Sequence, residues 1–218
     1  APYLKTEIPV EEEAKRLCSA IKAVRNVVKV PLTADTKRSG VAESAIEAGA
    51  AALNDVSGLK NDLEMARLAA DYEVPVVIVA CETKPRQGRP IDRILRALKG
   101  SLAIASKAGI RDEKTILDPG IGFFRNVDVL WYIWDCNVLR DLRQLHSLGR
   151  PVYVGVSRKS FIGQILNQAN PEDRLYGSLS ATAIAVYNGA HVIRTHDVAA
   201  TIQAVRLAER VRSEKWSP

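Results

Sequence analysis

Six short apolar runs, each closing on polar or charged residues, constrain this 218-residue chain more tightly than any other feature. Residues 30–34 lead into Asp35, 51–53 into Asn54 and Asp55, 76–80 into Cys81 and Glu82, and 115–117 into Asp118. Residues 152–156 lead into Ser157, Arg158, Lys159 and Ser160, and 192–193 into Arg194, Thr195, His196 and Asp197. A strand covered on both faces needs apolar side chains on both sides, so it reads as a continuous run, the pattern of a parallel sheet. Parallel α/β folds collect their chemistry at the carboxyl ends of their strands. The six polar endings are therefore read as the rim of an active site, strand by strand.

Helical patterns fill the intervals. Leu17, Ile21 and Val24 form an apolar stripe within residues 11–25, and Glu11, Glu12 and Glu13 occupy its first turn, where the helix dipole favours carboxylates. The stretches 39–48, 62–72, 91–108, 128–147, 172–188 and 199–212 predict further helices. Gly49, Gly109, Gly149 and Gly189 each stand just before a strand, as helix-ending residues do. Strand followed by helix, six times over, predicts an α/β fold of βα units with right-handed crossovers. With no linker-like stretch, residues 1–218 are expected to form a single domain. A closed barrel of this class needs eight units, and an open six-stranded sheet would leave two bare edges. The expectation is a TIM (β/α)8-type barrel of which six units are visible, the first two preceding Ala1.

The totals narrow the class. No apolar stretch reaches the ~18 residues that span a bilayer, so no membrane association is expected. The first residues lack the basic and apolar regions of a signal peptide. Three widely spaced cysteines, Cys18, Cys81 and Cys136, speak against a disulfide framework or zinc site and for a reducing cytoplasm. The net charge is +6, yet the basic residues are scattered. That favours an anionic small substrate over nucleic acid.

Each rim residue admits a chemical and a plain reading. Asp118 precedes Pro119 and Gly120: its carboxylate can accept two parallel N–H bonds from a heterocycle, or merely stabilise the turn. Asn54 both donates and accepts, which suits a mixed heterocycle edge, or it caps the turn near Gly58. Asp35 is a ligand-binding carboxylate or the cap of a helix starting at Lys37. Lys159, following a buried strand, is partly desolvated and must find acceptors or lose its proton, or it belongs with Arg158 to a solvated basic loop. Arg194 and His196 alternate at a strand end and so project to one side, where a two-pronged guanidinium and an imidazole suit an oxyanion, or the histidine is merely structural. His146 reads as a surface or interface residue. Trp131, Tyr132 and Trp134 read as core or oligomer contacts, and residues 84–89 as a solvated basic loop.

In chain order, Thr33-Ala34-Asp35-Thr36, Leu53-Asn54-Asp55-Val56-Ser57-Gly58, Leu117-Asp118-Pro119-Gly120-Ile121-Gly122-Phe123, Val156-Ser157-Arg158-Lys159-Ser160 and Arg194-Thr195-His196-Asp197 resemble the motifs of the dihydropteroate synthases, within the wider pterin-binding family. The resemblance runs from the third family strand to the last helix. It implies condensation of a dihydropterin pyrophosphate with p-aminobenzoate, or a related aryl amine, with release of pyrophosphate. It places Asp35, Asn54, Asp118 and Lys159 on the pterin, Phe123, Arg158 and Ser160 on the p-aminobenzoate side, and Arg194 and His196 on the pyrophosphate. Lys159, Arg194 and His196 are the expected catalytic set. Mg²⁺ is expected through the pyrophosphate, with no protein ligand in this chain, and late helices are expected to form a homodimer.

The chain also departs from the family pattern. It has no Asn-Val-Thr-Pro-Asp-Ser-Phe-like first-strand segment, the source of a magnesium-associated asparagine and a mobile loop. A second loop ending in a Ser-Thr-Arg-Pro-like stretch is absent or begins upstream of Ala1, and the fifth strand lacks a Met-His-Met-like ending. Two alternatives follow. A methyltetrahydrofolate-binding methyltransferase-type barrel shares the Asp and Asn positions but has no need for the Ser-Arg-Lys-Ser and Arg-Thr-His anion group. A non-catalytic pterin-binding homologue keeps the pocket alone.

Overall fold

The alternation read from the sequence is present in the computed structural model, which describes residues 8–84, 86–125 and 127–213. The elements run α1 (Val10–Arg25), β1 (Thr33–Asp35), α2 (Ser39–Ala48), β2 (Ala52–Asp55), α3 (Glu64–Asp71), β3 (Val76–Val79), α4 (Pro90–Ala108) and β4 (Thr115–Asp118). They continue with α5 (Trp131–Asp141), β5 (Tyr153–Gly155), α6 (Ser160–Leu166), α7 (Leu175–Tyr187), β6 (Val192–Arg194) and α8 (Val198–Ser213). These form two compact units, Ala1–Thr83 with Arg96–Leu117, and Lys84–Leu95 with Asp118–Pro218. Among the described residues no helix is long and apolar enough to cross a membrane.

The first unit carries a sheet in the order β1-β2-β3-β4. β1 and β2 are parallel with Asp35 opposite Asn54, and β2 and β3 are parallel with Asp55 opposite Ile78. That register sets the polar ends of β1 and β2 side by side. β3 is buried throughout, as its unbroken Val-Val-Ile-Val requires. α2 buries Val41, Ala42, Ala45 and Ala48, and α3 buries Met65, Ala66 and Ala69. These small residues at helical spacing form the apolar stripe that a helix on a sheet needs.

In the second unit β5 and β6 are parallel, with Gly155 opposite Arg194, and α7 packs on α8. On α5, Trp134 is buried, stacks on Phe124 at 5.1 Å between centroids, and receives the Arg93 guanidinium 4.6 Å from its ring centre.

Several expectations need correction. The first run becomes strand only at Thr33: Val30 is exposed, and Pro31 has no N–H to give a ladder. β6 is not covered on both faces, since Val192 is 40% exposed; among the described residues the strand pairs with β5 alone. The helix expected over 128–147 begins at Trp131 and tightens into a 3₁₀ turn over Leu142–Leu148. The one expected over 172–188 opens with a 3₁₀ turn over Pro171–Arg174. α6 was not foreseen, because seven residues behind a charged cluster are too few to show a helical period. The four helix-ending glycines all have positive φ, as expected.

Candidate active site

At the polar edge of the first unit the structure separates ligand-like residues from turn-holding ones. α2 is not capped by Asp35: the Ser39 amide donates to Asp62 Oδ2 at 2.7 Å. The turn after β2 is held by Asp55. Its Oδ1 accepts from the Ser57 amide at 2.8 Å, and its Oδ2 from the Ser57 hydroxyl at 2.9 Å and the Leu59 amide at 2.8 Å. Asp55 therefore does the capping considered for Asn54. The signal was in the sequence, since Asp followed two residues later by Ser is an Asx-turn spacing. Asn54 is 3% exposed, and its buried Oδ1 has no hydrogen-bond partner among the described residues. Leaving a buried acceptor unpaired costs about 1–3 kcal/mol, a cost that an N–H from a ligand removes.

Lys60, which sequence reading passed over, lies nearby. Its Nζ donates to the carbonyls of Cys81 at 2.5 Å and Ala97 at 3.1 Å, and burial lowers its pKa against the opposing pull of Cys81, Glu82 and Asp55. It ties the end of β3 to α4.

In the second unit Asp118 Oδ1 accepts from the Gly120 amide at 2.7 Å, so one carboxylate oxygen does stabilise the Asp-Pro-Gly turn. The loop then passes under Lys159. Gly122 has φ +86°, and a Cβ there would lie 3.1 Å from Lys159 Cδ and 3.4 Å from its Nζ. The positive φ favours glycine, and a side chain there would also press on the Lys159 stem. The Lys159 ammonium stands 4.8 Å from the Phe123 ring centre. Burial lowers the Lys159 pKa, while the carboxylates of Asp118 and Asp135 pull it back up. The lysine is thus partly desolvated, as expected, and keeps anionic company.

Asp135 is the residue sequence reading missed most plainly. On α5, with its side chain fully buried, it accepts from the Gly122 amide through Oδ1 at 2.9 Å. Its Oδ2 lies 3.6 Å from Arg125 Nη1, an ion-pair distance, and has no hydrogen-bond partner among the described residues. Burial pushes its pKa up to about 6 despite the Gly122 amide, Arg125 and Lys159. Arg125 in turn donates to Ser160 Oγ at 2.9 Å and stacks over Trp131 at 4.3 Å.

Past β5 and β6 a second cluster forms. Arg158 grips Asp197 with two bonds, of 3.2 and 2.9 Å. Its backbone is left-handed, with φ +59°, and is held there by its amide donating to Ser178 Oγ at 2.8 Å and its carbonyl accepting from Arg174 Nη1 at 3.0 Å. The buried Arg174 also donates to the carbonyls of Gln168 at 2.9 Å and of Ala169. Of the three residues expected on the p-aminobenzoate side, then, Phe123 meets Lys159, Ser160 meets Arg125, and Arg158 is committed to Asp197.

Arg194 ends β6, and its stem runs over Gly155, 3.6 Å from where a Cβ would stand. His196 lies beyond the strand, so strand alternation does not set its direction. It is placed by Ser157, whose Oγ is 2.9 Å from its Nδ1. His146 bonds the Gly189 carbonyl at 2.8 Å. Among the described residues no three His, Cys, Asp or Glu side chains gather to hold a metal, and the three cysteines are free.

The family described as pterin binding enzyme matches residues 3–196. The dihydropteroate synthase of Clostridium beijerinckii is 37% identical over 200 residues, covering 91% of this chain and 72% of that protein. A solved dihydropteroate synthase from Clostridium difficile, in the presence of pteroic acid, has a TM-score of 0.89 at 31% identity, covering 97% of this chain and 78% of that one. One from Xanthomonas albilineans in complex with 7,8-dihydropteroate has a TM-score of 0.87 at 33% identity, covering 95% and 77%. The parallel α/β architecture is thus of the TIM-barrel type those enzymes share.

Proposed function

The chain belongs to the pterin-binding enzyme family, and on that premise we propose that it condenses a dihydropterin pyrophosphate with p-aminobenzoate or a closely related aryl amine, releasing pyrophosphate. The observation that carries this reading is the setting of Lys159: an ammonium partly withdrawn from water, laid against Gly122, facing the Phe123 ring and answered by Asp118 and Asp135. A desolvated donor beside an aromatic face suits a flat, acceptor-rich heterocycle. The unpaired Asn54 Oδ1 supports the same ligand class. Asp35, Asn54, Asp118 and Lys159 keep their pterin roles, with Phe123, Ser160 and Arg158 on the aryl-amine side.

The carbon–oxygen bond to pyrophosphate breaks with its electron pair on the leaving group, and the positive charge spreads over the pterin. The aryl amine nitrogen attacks the freed methylene and sheds its proton. Arg194 and His196 draw the developing charge onto pyrophosphate. Catalysis is positional and electrostatic rather than covalent. Mg²⁺ would enter with the pyrophosphate, and no step here is assigned to it. Exposed Tyr176, Leu207 and Val211 on α7 and α8 suit a homodimer contact, and free thiols suit a reducing cytoplasm.

The test is turnover. With dihydropterin pyrophosphate, p-aminobenzoate and Mg²⁺, pyrophosphate and dihydropteroate should appear together, and Lys159→Ala should cut the rate by about 10²–10³. Pterin binding without turnover on any aryl amine would point to the non-catalytic homologue. An unimpaired Lys159→Ala would remove Lys159 from the site.

A further inference from the structure

We infer that Ser157 is a positioning residue for His196: its hydroxyl selects the imidazole tautomer with the proton on Nε2 and so presents an N–H donor to a pyrophosphate-class oxyanion. The identity of the anion rests on the synthase reading above; the pairing of Ser157 with His196 does not.

The pairing follows from the strands. β5 and β6 run parallel with Gly155 opposite Arg194, and carrying that register two residues further brings Ser157 opposite His196. Ser157 is 7% exposed, whereas His196 is open to solvent. One residue beyond, Arg158 and Asp197 are joined by their two bonds, so the segments are clamped just past the pair.

Two contacts decide the tautomer. The backbone N–H of His196 donates to Ser157 Oγ at 3.2 Å, and an amide can only donate, so there the hydroxyl oxygen accepts. The hydroxyl proton then has His196 Nδ1, 2.9 Å away, as its acceptor. With Nδ1 accepting, a neutral imidazole carries its proton on Nε2. The opposite tautomer would make Oγ accept twice and leave a buried hydroxyl proton without a partner. It would also present the Nε2 lone pair to an incoming anion, which repels it. Arg194, two residues back, supplies charge on the same segment; His196 adds a directed donor only in the tautomer that Ser157 selects.

The experiment uses inorganic pyrophosphate as the probe. Its affinity for the wild type, Ser157→Ala, His196→Gln and the double variant is measured by calorimetry at pH 8.5. Histidine-labelled protein reports the tautomer through long-range ¹H–¹⁵N spectra, with His196 assigned from His196→Gln. Ser157→Ala should weaken pyrophosphate binding about tenfold, roughly one hydrogen bond to a charged group. In the His196→Gln background it should cost nothing more, because a residue acting through His196 has nothing left to position. Equal losses in both backgrounds, or a wild-type His196 protonated on Nδ1, overturn the proposal. Should Ser157→Ala not fold, Ser157→Thr keeps the hydroxyl and must retain the wild-type tautomer. A wild type that binds no pyrophosphate overturns the anion role and the synthase reading of the rim, while the tautomer still decides the pairing.

Discussion

Replacing Asp135 by Asn should stabilise the protein at neutral pH, although it removes a carboxylate lying between two cations. In the folded chain the Asp135 pKa is raised from 3.8 to about 6, chiefly by burial. Because the folded value exceeds the unfolded one, the native state holds the extra proton between those two pH values. The stability this group contributes is fully present below about pH 4 and is lost as pH rises to about 6. Roughly two pKa units correspond to about 3 kcal/mol, the cost of holding Asp135 ionised above that window. The attraction of Arg125 and Lys159 is already inside that figure.

Asparagine keeps an Oδ1 for the Gly122 amide and needs no ionisation, and the oxygen it exchanges is the one that makes no hydrogen bond. Set against this, its amide nitrogen would sit 3.6 Å from Arg125 Nη1 and return part of the gain. The expected advantage of Asp135→Asn is therefore near zero at pH 4 and about 1–3 kcal/mol at pH 8. Urea unfolding at the two pH values, read at matched slopes, measures it. A variant less stable than the wild type at pH 8 would mean that the ion pair with Arg125 outweighs the burial cost. A difference that does not change with pH would mean that Asp135 does not titrate in this range. Either result refutes the reasoning.

Two further substitutions separate residues kept for binding from residues kept for folding. Asn54→Ala removes a buried acceptor that has no partner, so the unliganded protein should lose little or no stability, while pterin affinity should fall about tenfold, as seen by calorimetry. Arg174→Ala strands the carbonyls of Arg158, Gln168 and Ala169 and should cost about 3 kcal/mol or more, lowering the melting temperature by roughly 6–12 °C. A melting temperature within a degree or two of the wild type would show that water replaces the guanidinium there.

The residues visible in the sequence share one property: their place relative to a strand sets their direction. Asp35, Asp118 and Arg194 are each the last residue of a strand, and Asn54 the last but one. In a parallel sheet that position alone puts a side chain at the functional edge. Lys159 was legible for the same reason, one short turn after β5. Asp135 has no such marker. It follows Trp134 on a helix whose aromatic residues read as core, and only in three dimensions does its carboxylate meet the Gly122 amide. Helical periodicity says which face is buried; it does not say which distant amide a polar residue on that face will find.

His196 falls between the two cases. It was found as a partner for Arg194 by strand alternation, yet it stands past the end of the strand, held by a serine 39 residues away along the chain. The positioning device was invisible in the sequence, since parallel pairing joins segments that are remote along the chain. Such devices are what a charged or hydrogen-bonding residue needs before it can act, because an unheld side chain spends its binding energy on being ordered. In this chain the groups proposed to meet substrate stand at or just past strand ends, whereas the pairing of Asp135 with the Gly122 amide and of Ser157 with His196 is set by contacts that only folding creates.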